Sequence, residues 1–376
     1  MNTNRHQIEA LEARIAPAAT VVIDPVKLIA TITADPVGDD ITIIQDSSGL
    51  IDILNNANAN ASLTPSGTAE VILGIIYLGG VGDDKTLTQL QNGLLDVDGF
   101  ITKPALPEGF IIIEGGGTNE HNIEAMADFV TIGKKFQFIG STGDDTLSLK
   151  NLARTKDFLF AGKDGTDTLD IQNSSILGKL NLSGIEAMTC AANGVFGPTT
   201  VLNTNNLGSA DIAIAADLIN GAVKYTGSLN DDTFSLTGVV GGSITVNGGE
   251  GINAFSLTGT ALKAIKFLGG ADDDGFTITG TVLGAITANM GSGANAVDIV
   301  ASMSGKSITL IGGNAVDTFN VTASNAGTLS AKLGADSDDI STAGSFKSLK
   351  LDAGIDSGTH NGAEKTLGKI TRKNFI

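Results

Sequence analysis

The chain has 376 residues, of which 49 are glycine, 7 are proline, 5% are aromatic and none is tryptophan, a composition unlike that of two or three ordinary globular domains. Lys+Arg 23 against Asp+Glu 41 gives a formal charge of 23 − 41 = −18, which excludes nucleic acid as a partner, because that needs a basic stripe to displace counterions. Hydrophobic residues at 41% and charged residues at 17% exclude wholesale disorder. The lone Cys190 excludes an internal disulfide and a cysteine-built zinc site.

In chain order, residues 1–20 come first. Ile8, Leu11 and Ile15 fall at i, i+3 and i+7, the stripe of a short amphipathic helix that Pro17 ends. The segment lacks the apolar core of a secretory signal, and no apolar run of about 18 residues elsewhere predicts a transmembrane segment. It reads as an N-terminal helical cap or tag. The run "LEARIAPA" at 11–18 resembles the N-terminal motif of surface proteins of Verrucomicrobia and related bacteria.

Residues 21–95 read as degenerate coils of a repeat. "GDD" recurs at 38–40, 82–84 and 143–145, and Ile41 to Leu87 spans 46 residues, the length of two longer coils. Residues 96–135 break the pattern with Pro104, Pro107 and Gly115 to Gly117. They read as an irregular excursion from one coil or as a boundary between two short solenoids.

From 136 to 355 the repeat is regular. Phe234, Phe255, Phe276, Val297, Phe319 and Ile340 are separated by 21, 21, 21, 22 and 21 residues. Ile244, Ile265, Ile286, Ile308, Leu329 and Leu349 form a second register with steps of 21, 21, 22, 21 and 20. Leu147 and Leu169 extend the first register backwards, leaving room for two worn coils near "EAMTCAANG" and "ADIAIAAD" before Phe234. Within "AFSLTGT", Phe255 and Leu257 alternate with Ser256 and Thr258, the period of a half-buried strand. Glycine-rich corners such as "NGGEG" at 247–251 and "LGGAD" at 268–272 separate the strands. One coil of 21–22 residues cannot bury its apolar side alone, whereas a stack of such coils can. The predicted fold is therefore all-β, a parallel β-solenoid (β-helix) with glycine/aspartate corners. The tail 356–376 loses the period and turns basic at Lys365, Lys369, Arg372 and Lys373, as a C-terminal cap or docking tail would.

The corners "GKDGTDTLD" (162–170), "GSTGDDTLS" (140–148), "GGVGDDKTL" (79–87) and "GGEGINAFS" (248–256) resemble the nonapeptide of RTX-type, hemolysin-type calcium-binding repeats. The resemblance implies calcium clamped between coils by a row at Asp145, Asp167, Asp232, Asn253, Asp274, Asn295, Asp317 and Asp338, with Asp144 and Asp164 beside it, since a hard cation takes six to eight oxygens. This sequence departs from the family in its longer coil, in carrying the signature on one edge only, and in the Asn at 253 and 295. The residues themselves leave a second reading open, in which Asp and Asn close turns through their own side chains. Carboxylates stacked about 5 Å apart repel one another unless a cation intervenes or some hold protons.

Outward rows of Thr237, Thr258, Thr279 and Thr322, and of Ser235, Ser256 and Thr277, suit a solvated or laterally packing face; Val300, Asp298 and Asn320 interrupt the threonine array that ice binding needs. His6, His121 and His360 lie outside the regular repeats, and Glu120–His121 within "EGGGTNEH" is a lone pair that reads as loop. The expectation is a non-enzymatic bacterial structural protein, extracellular or on the cell surface: a rod that assembles end to end or laterally into fibres or a surface layer, or acts as an adhesin toward surface glycans, with calcium as its possible stabiliser. The competing readings are a carbohydrate-active β-helix enzyme and a glycan- or ice-binding solenoid.

Overall fold

The computed structural model describes residues 19–375 apart from 47, 57–60, 92–104, 127–129, 192–193, 203–207, 356–357 and 367–368. The predicted N-terminal helix and the motif at 11–18 lie outside the described residues. Strands are numbered β1 to β32 in chain order, and among the described residues no segment is α-helical. No described helix is long and apolar enough to cross a membrane.

The repeat registers become parallel pairings. In β21 (Thr233–Val240), β23 (Ala254–Ala261), β25 (Gly275–Val282) and β27 (Ala296–Met303), Phe234, Phe255, Phe276 and Val297 are successive partners, and Val297 continues through Phe319 to Ile340. The second register pairs as expected through β22 (Ile244–Asn247), β24 (Ile265–Leu268), β26 (Ile286–Asn289) and β28 (Ile308–Ile311). The two worn coils are filled by Met188 and Ile212, which link Leu169 to Phe234. Every residue of the two registers is buried, and Phe255, Phe267 and Phe276 stack along the axis with centroids 5.2 to 6.4 Å apart. A parallel solenoid thus converts sequence period into aromatic ladders, each ring removing roughly 150–250 Å² from water.

Each long strand bends before its inward end. Gly259 does this at φ +138, and a Cβ there would overlap the Gly238 carbonyl of the preceding coil. The bend aims Ala261 at Val240 and Val282, which form a third inward column. The cross-section therefore has three inward-facing sides around one continuous core.

The first third departs from two equal coils. β3 (Asp40–Gln45) pairs in parallel with β8 (Lys85–Leu90), Ile41 meeting Thr86, so 41 to 86 is a single step. The extra length is an antiparallel insertion: β4 (Leu50–Asn55) returns along β3, and β5 (Ala61–Ser62) and β6 (Glu70–Val71) pair with β4. β1 (Thr20–Ile23) likewise runs antiparallel to β2 (Ile29–Thr33). Between 105 and 139 the stack continues. β7 (Gly74–Leu78) pairs with β9 (Gly109–Ile113), β9 with β11 (Thr131–Ile139), and β10 (Asn119–Ala125) joins β8 to β12 (Asp145–Lys150), all in parallel. At the other end β30 (Asp339–Asp352) carries both β31 (Thr359–Thr366) and β32 (Ile370–Lys373) in parallel.

Candidate functional site

The aspartates singled out in the sequence separate into two rows. Asp145, Asp167, Asp232, Asp274, Asp317 and Asp338 are buried, as are Asp39, Asp84, Asn119, Glu186, Asn253 and Asn295 in the same column; Asp144 and Asp164 are exposed. Along most of the column an inner side chain accepts the backbone amide of the residue at the same place one coil earlier, whereas Asp145 accepts from Asn119 Nδ2. Asp145 N–H donates to Asp167 Oδ1 at 2.9 Å, Asp167 N–H to Glu186 Oε2 at 2.6 Å, Asn253 N–H to Asp274 Oδ1 at 2.9 Å and Asp317 N–H to Asp338 Oδ1 at 2.8 Å. The outer row binds in the opposite direction: Asp144 Oδ1 accepts from Thr166 N–H at 2.8 Å, Asp231 Oδ1 from Ile252 N–H at 2.8 Å and Asp273 Oδ1 from Ala294 N–H at 2.6 Å. An Asp-Asp pair at a corner therefore staples its coil to both neighbours, which is the physical content of "GDD" at 82–84 and 143–145; at 38–40 the inner residue is Asp39, and Asp40 opens β3.

The choice between Asp and Asn in the column follows the turn beneath it. Under Asp84, Asp145, Asp232, Asp274 and Asp317 the amide four residues earlier points inward and donates to Oδ2 at 2.6 to 2.8 Å. Under Asn119, Asn253 and Asn295 the residue two before is a glycine at φ +73, +78 or +85, and the carbonyls turn inward instead. The amide Nδ2 donates to them, as Asn253 does to Glu250 O at 3.1 Å and Gly251 O at 2.9 Å. Donor-rich turns take a carboxylate and acceptor-rich turns take a carboxamide.

Two positions break this rule. Asp167 sits over Gly165 at φ +109 and Asp338 over Asp336 at φ +66, both turns of the Asn kind, and the Oδ2 of each has no hydrogen-bond partner. Burial, with the neighbouring Asp145, Glu186 and Asp144 carboxylates, pushes Asp167 up to about 8. Burial, with Asp317, Asp336 and Asp339 nearby, pushes Asp338 up to about 6. Burial raises Asp145, Asp232, Asp274 and Asp317 as well, against the pull of their N–H donors.

Along most of the column this donor set fits calcium poorly. The inner oxygens there face N–H groups, the Oδ2 of Asp167 and of Asp338 excepted, and at Asn253 and Asn295 the turn carbonyls a cation would need already accept from Nδ2. Among the described residues no three His, Cys, Asp or Glu side chains converge as metal ligands would. The signal separating the two readings was the alternation of Asn with Asp, which a staple tolerates and a cation row does not reward.

The histidine reading changes. His121 is not in a loop: it occupies β10 between Thr86 and Leu147 in the inward column, while Glu120 is half exposed beside Lys85, 3.7 Å away. The partner of His121 is Glu114, whose Oε1 lies 2.7 Å from Nε2, both side chains having zero exposure. Close as they are, the two atoms do not form a regular hydrogen bond. On the other side Nδ1 lies 2.8 Å from Thr86 Oγ1. Tyr77 and Phe138 each meet the imidazole edge-on at 5.6 Å. In "GGVGDDKTL" Thr86 faces in and Leu87 faces out, because the corner Asp84 sets the register and His121 supplies Thr86 with a partner. His360 lies on β31, with Nε2 2.8 Å from Thr342 Oγ1 and Nδ1 accepting from Arg372 Nε at 2.8 Å.

The groove along the glycine corner, about 570 Å³, is bordered by Gly227, Gly249, Gly270 and Gly291 and holds Glu250 as its one titratable side chain. Comparison with known proteins gives no match: no family model, no curated protein and no solved structure is significantly similar to this chain.

Proposed function

We propose that this protein is a non-enzymatic structural rod of a bacterial surface or extracellular layer, assembling with further copies of itself or adhering to surface glycans. The observation that carries the reading is the continuity of the corner staple: inner and outer aspartates commit their oxygens to holding one coil to the next over most of the chain. Side chains spent on rigidity are what a load-bearing or spacing element needs. The acidic excess keeps a large, flat-sided β surface soluble and discourages uncontrolled edge pairing. A carbohydrate-active reading needs an acid and a base open to a sugar; the Glu114–His121 pair is sealed in the core, and the corner groove offers Glu250 alone.

The oxygens left open to calcium are those of the exposed row, including Asp144 and Asp164, and the Oδ2 of Asp167 and of Asp338; weak surface binding would add little stability. Electron micrographs of purified protein test the reading, with regular fibres or sheets expected at high concentration. A melting midpoint equal in calcium and in EDTA is expected beside them. Isolated particles under all conditions, together with cleavage of a polysaccharide panel, would overturn the structural reading. A midpoint raised by several degrees in calcium would instead return the metal to the corners.

A further inference from the structure

Thr86, His121 and Glu114 are polar side chains buried against the inward pattern of the stack, as Thr88 and Thr342 also are, and His121 touches both Thr86 and Glu114. Thr86 and His121 stand in the column held by Ile41, Leu147 and Leu169 in adjoining coils. Glu114 stands at a corner position held by Gly79 and Gly140 in the coils on either side, as their matching amide bonds to the next coil show. The missing side chain at Gly79 makes the space: a Cβ there would overlap the Glu114 carboxylate and crowd Asp84 Oδ2. Polar residues placed against the pattern, side by side and mutually accommodated, mark a built feature rather than an accident of drift.

The cluster spans four coils. Asp84 faces Glu114, and the Tyr77 hydroxyl sits beside Asp84. Asp39 reaches the same group from the coil before, its N–H donating to Asp84 Oδ1 at 2.9 Å. From the coil after, Asp145 is held by Asn119 Nδ2 at 2.6 Å, and Phe138 closes the ring face. The groups facing the Glu114 carboxylate are thus Asp84, His121, Tyr77 and, further off, Asp39 and Asp145. Asp84 Oδ2 takes the Gly80 N–H at 2.7 Å, whereas Glu114 Oε2 meets no N–H or O–H donor although it is fully buried. Two acceptor carboxyls facing each other across a glycine, one with an oxygen lacking a donor, are satisfied by a hydrogen between them.

We propose that Asp84 and Glu114 hold one proton between them inside the rod, and that its loss to solvent loosens the coils of β7 to β12: a pH-operated latch in the N-terminal third. The His121 imidazole, in contact with Glu114 on the far side, fixes which way that carboxylate turns. Burial and the adjacent Glu114 carboxyl push Asp84 up to about 6, which places the transition in a range that bacterial surroundings cross. The inference stands whatever the rod is used for.

The test compares the full chain with Glu114→Gln, whose carboxamide supplies a permanent donor, in urea unfolding between pH 4.5 and 7.5. The wild-type unfolding constant should rise with pH by about tenfold more than that of the variant, the linkage expected when one proton is released over roughly one pH unit. Equal pH dependence in the two chains overturns the proposal. Should the variant not fold, Tyr225→Phe leaves Tyr77 as the sole tyrosine of a chain without tryptophan. Its emission should then change with a midpoint near the Asp84 value, and a flat response from pH 4.5 to 7.5 overturns the latch equally.

Discussion

At the scale of single residues, the corner column illustrates how a turn chooses its side chain. Asp and Asn are nearly the same shape, yet the structure separates them by whether the turn beneath offers N–H or C=O groups. Asp167 and Asp338 are carboxylates over turns built for a carboxamide. Replacing Asp167 by Asn keeps an oxygen for the Asp145 N–H and gives the inward carbonyls a donor. At pH 8 the substitution should stabilise the protein by about 1–3 kcal/mol, the usual penalty for a buried unsatisfied polar group. Asp338→Asn should act in the same direction, less strongly, because its value is raised less. Urea midpoints at pH 5 and 8 check this: the gain should shrink at pH 5, where the native Asp167 already carries its proton.

At the scale of elements, the coils of β21 to β26 (residues 233–289) are each a bent strand followed by a short one, and there the bend is as much a part of the repeat as the apolar columns. Gly238, Gly259 and Gly280 take positive φ at matching positions of β21, β23 and β25. Gly259→Ala puts a Cβ into the Gly238 carbonyl and forces a backbone that L residues rarely adopt. It should cost about 2 kcal/mol or more, combining strain and overlap, read as a lowered urea midpoint with the slope unchanged. An exposed Ser256→Ala on the same strand should stay within about 0.5 kcal/mol. The strand period and both apolar registers were legible from the sequence, because pairing in a parallel stack joins residues one period apart. The 41–87 stretch was misjudged for the same reason: an antiparallel return adds length without adding a coil, and length was the signal being counted. In the 96–135 stretch, prolines and glycines read as a break are corner residues of continuing coils where they are described, Pro107 and Gly115 to Gly117 among them.

At the scale of the molecule, the acidic column ties rod stability to pH. Every shifted carboxyl in it is raised, so the folded chain holds protons that the unfolded chain has released. Through that window the unfolded state binds fewer protons, and stability falls as pH rises from the ordinary carboxylate value near 4 toward about 8, the Asp167 value. Melting midpoints should therefore be higher at pH 5 than at pH 8. A midpoint that climbs steadily between them would contradict the protonated column. An acid-favoured rod is the reverse of a calcium-clamped one, whose ligands must ionise to bind.

The sequence by itself determined that this chain is a parallel β-solenoid and which residues of its regular coils face the core, because a stacked coil writes the same spacing into every turn. It also marked the corner aspartates from Asp145 onward, though not Asp39 and Asp84 of the same column. Only the tertiary structure shows which groups face those aspartates, since a carboxylate that staples amides and one that binds a cation have the same letters at the same spacing, and the difference lies in whether N–H groups or open space face the oxygens. The same holds for Glu114 and His121: seven residues apart in the chain, they meet because the corner at 115–117 turns the chain between β9 and β10 and both side chains point inward, a proximity that no linear spacing in a single sequence records.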